Sequence, residues 1–340
     1  MTVEKKIEIK FPHHHSAHCE SGVTSNLICY QGVEISEAMA FGIGSGLFFG
    51  YLPFLKVNDM PLTTFRIVPG GIFKRTTSRL GVKVGRQRFR DPEKGMQVLD
   101  ELISRGMPVG LQVGTYWLPF FPPALRFHFN AHNLVVYGKR DEEYLISDPV
   151  FDEPVTCPYE DLMKARFSKG PLAPKGHLYY LLNKPDMAFL KEAIAKGIKE
   201  VCHKMLNIPI PLLGVKGMRY LAKRLSGWPK RLGPEKANQY LGFIIRVQEE
   251  IGTGGAGFRF LFAAFLQEAG EILNKDELLT LSEELTHVGD RWREFALGGA
   301  RNIKGKATSA DSYPKLAEIL MECADSEERI FRRLRSQINS

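Results

Sequence analysis

Of the five cysteines in this chain, Cys19 has the surroundings of a reactive thiol. It stands in Ser16-Ala17-His18-Cys19-Glu20-Ser21-Gly22, a polar run placed just before a helical stretch. A thiol at a helix N-terminus meets the positive end of the macrodipole and several unpaired backbone amides. Both favour the thiolate, the form that attacks a carbonyl carbon. Cys29, Cys202 and Cys323 lie among apolar helix positions and read as small buried hydrophobic residues, the usual fate of a lone cysteine. A thiolate nucleophile also needs a group that can hold and return a proton near neutral pH. That requirement points to histidine, oriented in turn by a carboxylate or an amide.

His132 opens the run His132-Asn133-Leu134-Val135-Val136-Tyr137-Gly138, and Asp148 follows the next apolar run in Leu145-Ile146-Ser147-Asp148-Pro149. Both runs have strand composition, and Gly138 to Glu143 joins them as a charged turn, which predicts an antiparallel hairpin. In such a hairpin the start of the first strand lies beside the end of the second, so His132 and Asp148 become neighbours. Taken alone, His132 is equally a strand-end histidine satisfied by backbone, and an Asp before a Pro is an ordinary turn opener. With Cys19 the three form a candidate catalytic triad.

Other residues carry weaker signals. His14, His15 and His18 invite a metal reading, but no acidic or cysteine cluster with ligand spacing accompanies them and a metal would consume Cys19, so no metal site is expected. Gly252-Thr253-Gly254-Gly255-Ala256-Gly257 satisfies the letter of the dinucleotide glycine pattern, yet it follows a helical stretch, Val247 to Ile251, where that fingerprint follows a strand. The plain reading is a turn whose glycines let two helices approach. Tyr116-Trp117-Leu118-Pro119-Phe120-Phe121-Pro122-Pro123 is a rigid loop packed on the core, part of an oligomer interface, or the wall of an apolar channel.

These residues must be held by two kinds of structure. Ser21 to Tyr30 reads as a short helix stopped by Gly32, and Ser36 caps another that ends in the Gly42, Gly44, Gly46 series. Thr64 to Val68 and Val109 to Val113 read as strands, and Asp91 to Ser104 as a helix with Pro92 in its first turn, closed by Gly106. Beyond Pro185 the texture becomes helical: Met187, Leu190, Ile194, Ile198, Val201 and Met205 recur every three or four positions, with further helices over Glu235 to Ile251, Asp276 to Ala296 and Ser312 to Gln337. The expected fold class is α+β, with an antiparallel sheet in residues 1–184 and a helical domain over 185–340.

Composition agrees with two globular domains. A chain of 340 residues, 44% hydrophobic and 25% charged with 22 Phe, exceeds a typical domain of roughly 100–200 residues and excludes disorder. Met1 is followed at once by Glu4, Lys5 and Lys6 instead of an apolar signal segment, and the odd cysteine count opposes a disulfide scaffold, so a reducing cytoplasm is expected. No apolar stretch approaches the ~18–20 residues of a transmembrane segment; the nearest, Gly46 to Leu55, is interrupted by Pro53. The formal charge of +8 is concentrated in Lys216, Arg219, Lys223, Arg224, Lys230, Arg231 and Lys236. These are not interleaved with any nucleic-acid-binding motif, so an acidic partner is favoured over nucleic acid.

Cys19 at a helix start, Gly32, Ser36-Glu37, His132 and Asp148 together resemble the papain-like fold of bacteriocin leader peptidases. A closer resemblance is to the butirosin biosynthesis protein H family, through His18-Cys19, Gly32-Val33-Glu34-Ile35-Ser36-Glu37-Ala38-Met39 and Phe41-Gly42-Ile43-Gly44-Ser45-Gly46. Gly254-Gly255-Ala256-Gly257-Phe258-Arg259, followed by Phe265-Leu266-Gln267-Glu268-Ala269, resembles the helical domain that commonly follows that module. The resemblance implies a cysteine acyltransferase that takes an acyl group from an acyl carrier protein thioester to a small-molecule amine, with no bound cofactor and phosphopantetheine carried by the substrate. Hydrolysis of a peptide or amide by the same triad is the alternative, and a non-enzymatic basic binding protein a third. Papain-like enzymes place a Gln six residues before the nucleophile to bind the oxyanion; here that position is His13, which with the Cys19 amide becomes the candidate oxyanion donor. Gly254, Gly255, Gly257 and Arg259 are candidates for holding the phosphate of the phosphopantetheine arm at a helix start. The helical domain could supply acceptor specificity, dimerisation to a homodimer, or both.

Overall fold

The computed structural model describes residues 6–57 and 59–339. The charged start at Met1, Glu4 and Lys5 lies outside the described residues. In chain order the first stretch comprises β1 (Lys6–Glu8), α1 (Cys19–Tyr30), α2 (Glu37–Ile43), β2 (Leu47–Val57), β3 (Met60–Arg66), α3 (Gly71–Arg79), β4 (Val84–Gln87), α4 (Pro92–Ser104) and β5 (Val109–Val113). It continues with β6 (His132–Arg140), β7 (Glu143–Ser147), β8 (Val155–Pro158), α5 (Tyr159–Arg166) and β9 (Leu178–Leu181). Helices follow: α6 (Leu190–Leu206), α7 (Gly214–Leu225), α8 (Trp228–Leu232), α9 (Pro234–Glu249), α10 (Arg259–Leu273), α11 (Asp276–Ile303) and α12 (Tyr313–Asn339). The expected α+β class, antiparallel sheet first and helices after, is what the chain adopts.

The chain divides into two compact units, residues 1–40 with 72–189, and residues 41–71 with 190–340. The expected single cut between 184 and 185 therefore needs correction at one segment. Strands β2 and β3 pair with each other as a separate antiparallel hairpin, and this hairpin joins the helical unit. Its first strand was hidden in the sequence by Gly50 and Pro53. A proline removes a ladder donor, and the pairing register indeed breaks between Leu52 and Lys56, around Pro53.

In the first unit the sheet runs β4-β9-β5-β6-β7-β8, with β1 added beside β6, and every pairing is antiparallel. Side chains alternate across it. Val109, Leu111, Val113, Leu134, Val136, Ile146 and Leu178 face one layer, where they pack with Met96, Leu99, Leu102 and Ile103 of α4 and Leu162 and Ala165 of α5. The opposite face of β6 and β9 carries α1. Asp91 caps α4 through hydrogen bonds to the amides of Glu93 and Lys94, the role its position before Pro92 predicts.

In the helical unit the core gathers Phe262, Phe265, Trp292, Phe295 and Phe331, all essentially without exposure. Phe49 and Phe65 of the hairpin join it, their rings meeting each other and Trp292. Among the described residues no helix is long and apolar enough to cross a membrane.

Candidate active site

Cys19 is the first residue of α1, where His18 serves as N-cap in an extended conformation and accepts from the Ser21 amide. The entry to this helix is held by Glu37, the first residue of α2. Its carboxylate accepts the amides of Ala17 and His18, each at 2.8 Å, and the Ser21 hydroxyl at 2.9 Å. Burial pushes the Glu37 carboxyl up, against the pull of those three hydrogen bonds. On the next turn Gly22 allows a close approach: a Cβ there would lie 2.6 Å from Ser16 Cβ and 2.7 Å from Pro149 Cβ. The Ser16 amide also donates to the Pro149 carbonyl at 2.6 Å. The start of α1 is thereby seated against the residue that follows Asp148.

The hairpin of β6 and β7 forms with Asp141 and Glu142 between its strands, inside the charged turn expected at Gly138 to Glu143. His132 and Asp148 meet at its open end. His132 Nε2 donates to Asp148 Oδ2 at 2.6 Å, with Asp148 fully buried and His132 4% exposed. The second ring nitrogen is left free of Asp148, and the Cys19 sulfur is near enough to act on the imidazole. Burial works against the imidazolium, but Asp148 and the Cys19 sulfur, by charge and by hydrogen bond, outweigh it and push His132 up to about 10. Cys19, His132 and Asp148 are thus brought together in one buried cluster, as their order and spacing predict. The other four cysteines are also free, and burial pushes Cys157 and Cys202 up to about 12, away from reactivity.

The aromatic segment packs on this cluster. Phe121 sets the edge of its ring against His132 at 5.2 Å between centroids and meets Phe151 in the same manner at 5.0 Å, with Phe120 against Phe151. Tyr116 and Trp117 remain partly exposed.

Three expectations fare differently. His13 is occupied elsewhere: Nε2 faces the carbonyls of Phe151 and Asp152 at 3.1 and 3.2 Å, and Nδ1 faces the Ser147 hydroxyl at 2.8 Å. Only a ring N–H can serve two carbonyls, so Nε2 carries the proton and no donor is left for an oxyanion at Cys19. Arg259 is likewise no phosphate ligand. It is fully buried, paired with Glu327 through two 2.9 Å hydrogen bonds, donates to the Gly257 carbonyl at 2.8 Å and lies over the Trp292 ring. The glycine loop uses its amides internally: Gly255 N–H donates to Thr253 Oγ1 and Ala256 N–H to Glu249 Oε1. Glu249 therefore takes the Ala256 amide that a phosphate would need. The glycines serve backbone geometry, Gly254, Gly255 and Gly257 all having positive φ.

Sequence reasoning assigned no role to two residues that reach the sulfur's surroundings. Asn133 Nδ2 lies 3.8 Å from Cys19 Sγ, and the Tyr179 hydroxyl donates to Asn133 Oδ1 at 2.9 Å. The available signal was an amide side chain directly after His132 in an otherwise apolar strand. Tyr179 reaches it because β9 and β5 pair Tyr179 with Gly110. A Cβ on Gly110 would fall 2.2 Å from the tyrosine ring, so only glycine lets the ring lie across the strand.

The first unit thus sets a helix bearing a cysteine against one face of an antiparallel sheet, with a buried His–Asp pair at a hairpin mouth. Residues 18–149 match the family described as butirosin biosynthesis protein H, N-terminal, and residues 160–334 match a domain of unknown function, DUF4872. The second match spans just over half of the chain, which belongs to that family and carries a butirosin biosynthesis protein H-like N-terminal domain. A search of curated proteins finds no match. Among solved structures, a Bacillus anthracis protein titled provisionally as a C39-like peptidase aligns with 54% of this chain and 100% of its own, at 15% identity and a TM-score of 0.37.

Proposed function

We propose that this chain is a cysteine-dependent acyltransferase of a biosynthetic pathway, moving an acyl group from an acyl carrier protein thioester to a small-molecule amine. The observation that carries the reading is the buried Cys19–His132–Asp148 cluster, in which the imidazole is held protonated beside the sulfur. An imidazolium beside the sulfur favours the thiolate once it forms, and the thiolate is the species that attacks an electrophilic carbonyl. Cys19 sulfur adds to the thioester carbon, and the tetrahedral adduct collapses by breaking the bond to the pantetheine sulfur, which takes its proton from His132. The acyl-enzyme remains. An amine then attacks the same carbon, His132 accepts its proton, and the Cys19 sulfur leaves as thiolate beside the re-formed imidazolium. Asp148 holds the ring in place throughout and stabilises its positive charge at each stage where the imidazolium is present.

The carrier protein is acidic in its usual form, and this chain offers cations to it. Lys216, Lys223, Arg224, Lys230, Arg231 and Lys236 on α7, α8 and α9 are exposed, whereas Arg219 is half-buried against Asp325 and Glu328. The free thiols of the chain suit a reducing compartment such as the cytoplasm. Exposure of the protein to a panel of acylated carrier proteins, read by intact-protein mass, tests the reading. An adduct of acyl mass that is absent from Cys19→Ala and is passed to an added amine supports it. Acyl transfer by Cys19→Ala at the parent rate refutes it, and quantitative release of free acid in the presence of amines replaces transfer by hydrolysis.

A further inference from the structure

With His13 committed to the loop after β7, the oxygen anion of the tetrahedral adduct needs another donor. We infer that the Asn133 side-chain amide supplies it, together with the backbone amide of Cys19, and that Tyr179 is the positioning residue that aims it. This rests on the Cys19 nucleophile proposed above.

Donor counting leads to this assignment. A carboxamide has two N–H groups and one oxygen acceptor. Tyr179 hydroxyl occupies the oxygen at 2.9 Å, and one N–H goes to the Ala131 carbonyl at 3.2 Å. The other N–H faces Cys19 Sγ, 3.8 Å from Nδ2. The orientation of the amide follows from its partners, since a carbonyl can face only the NH2 end. Tyr179 is fully buried against α1, and burial, with Glu20 and Cys19 nearby, keeps its hydroxyl protonated. It is therefore a donor at neutral pH.

The position of the amide suits the anion better than the sulfur. A contact of 3.8 Å to sulfur adds little to a thiolate, but an acyl group bonded to that sulfur carries its oxygen within one bond of the attached carbon. A donor aimed at the sulfur from the sheet side is therefore in reach of an oxygen that exists only after attack. The partner donor is equally local. The first intrahelical bond of α1 is made by Gly22 N–H to the His18 carbonyl at 2.9 Å, so the Cys19 amide precedes the helical ladder and has no acceptor within it. The plain alternative is that Asn133 and Tyr179 satisfy each other beneath α1 and do nothing more.

Two probes of Cys19 separate these readings, and neither needs a carrier protein. p-Nitrophenyl acetate acylates a thiol through a tetrahedral anion, releasing nitrophenolate as the acetyl group moves to sulfur. Iodoacetamide alkylates by displacement of iodide, with no oxyanion. Each is followed by intact mass on the full chain. Asn133→Leu, which keeps the volume, should slow acetylation about 100-fold or more, as loss of an oxyanion donor does, while alkylation stays within about threefold. Tyr179→Phe should slow acetylation less and leave alkylation unchanged, and it decides the matter if Asn133→Leu fails to fold. Equal losses in both reactions mean a structural role and overturn the inference. So do an unchanged acetylation rate and a parent protein that alkylates at Cys19 but is not acetylated. Failure of carrier-dependent transfer with the predicted split intact would instead count against the acyltransferase reading alone.

Discussion

Replacing Asp148 by Asn keeps the shape of the cluster and removes its charge. The asparagine oxygen can still accept from His132 Nε2, so the ring keeps its orientation, but the imidazolium loses its buried counter-ion. Without it, burial, the largest influence on His132, pulls toward the neutral form. The distance between an ordinary histidine at 6.5 and His132 at about 10 corresponds to about 5 kcal/mol, of which Cys19 supplies part. Truncating one partner of a buried ion pair costs about 3–5 kcal/mol in other proteins. A loss of about 3 kcal/mol in the protonated imidazole corresponds to at least ~100-fold less imidazolium beside the sulfur. Alkylation of Cys19 by iodoacetamide at pH 7, timed by intact mass, reports how well the imidazolium supports attack by the sulfur and needs no natural substrate. Asp148→Asn should alkylate at least about 100-fold more slowly than the parent. A rate within threefold of the parent would show that Asp148 does not hold the proton on His132, and the electrostatic account of the cluster would fail.

Three further outcomes are expected. Arg259→Met should cost about 3–5 kcal/mol in urea unfolding by stranding the buried Glu327 carboxylate, whereas Arg259→Met with Glu327→Leu should recover most of that loss; a single-variant cost below about 1 kcal/mol would contradict the ion-pair reading. His177 is pushed down to about 4 by burial and by Arg88 and Arg86, so between pH 4 and 6.5 the unfolded chain binds a proton that the folded chain refuses. Stability should therefore rise with pH across that window, by up to about 1.4 kcal/mol per pH unit, and His177→Gln should flatten the rise; identical slopes would rule out the assignment. Reversing charge at Lys216, Lys223 and Lys230 together should raise the KM for an acylated carrier protein at least about tenfold, by loss of electrostatic steering, and leave iodoacetamide alkylation unchanged; an unaltered KM would remove that face from the docking reading.

What the sequence made legible was local or followed from local pairing. The β6–β7 hairpin declared itself by strand composition around a charged turn, and a hairpin carries its own register, so residues sixteen positions apart could be paired on paper. The helices after residue 190 were equally plain, since a 3.6-residue period needs no partner to be seen. Contacts that depend on distant chain were not visible. Arg259 beside three glycines looks like an anion site until Glu327, 68 residues on, arrives in the fold. His13 occupies the position of an oxyanion donor in the chain, but carbonyls at 151 and 152 decide where its ring points. Asn133 sat beside the residue identified as the base and carried no periodic signal, because its significance comes from Tyr179, 46 positions away.

The hairpin of β2 and β3 falls within residues 18–149, yet its apolar side chains are spent on the helical unit, with Phe49 and Phe65 against Trp292. Cys19 precedes that excursion and His132 follows it. A fragment ending near residue 184 would therefore leave two large aromatic rings facing water and invite aggregation, however complete its sheet. Expressing the reactive portion by itself calls for excising the loop and joining the chain across the gap from 40 to 72, not for truncating the C-terminus.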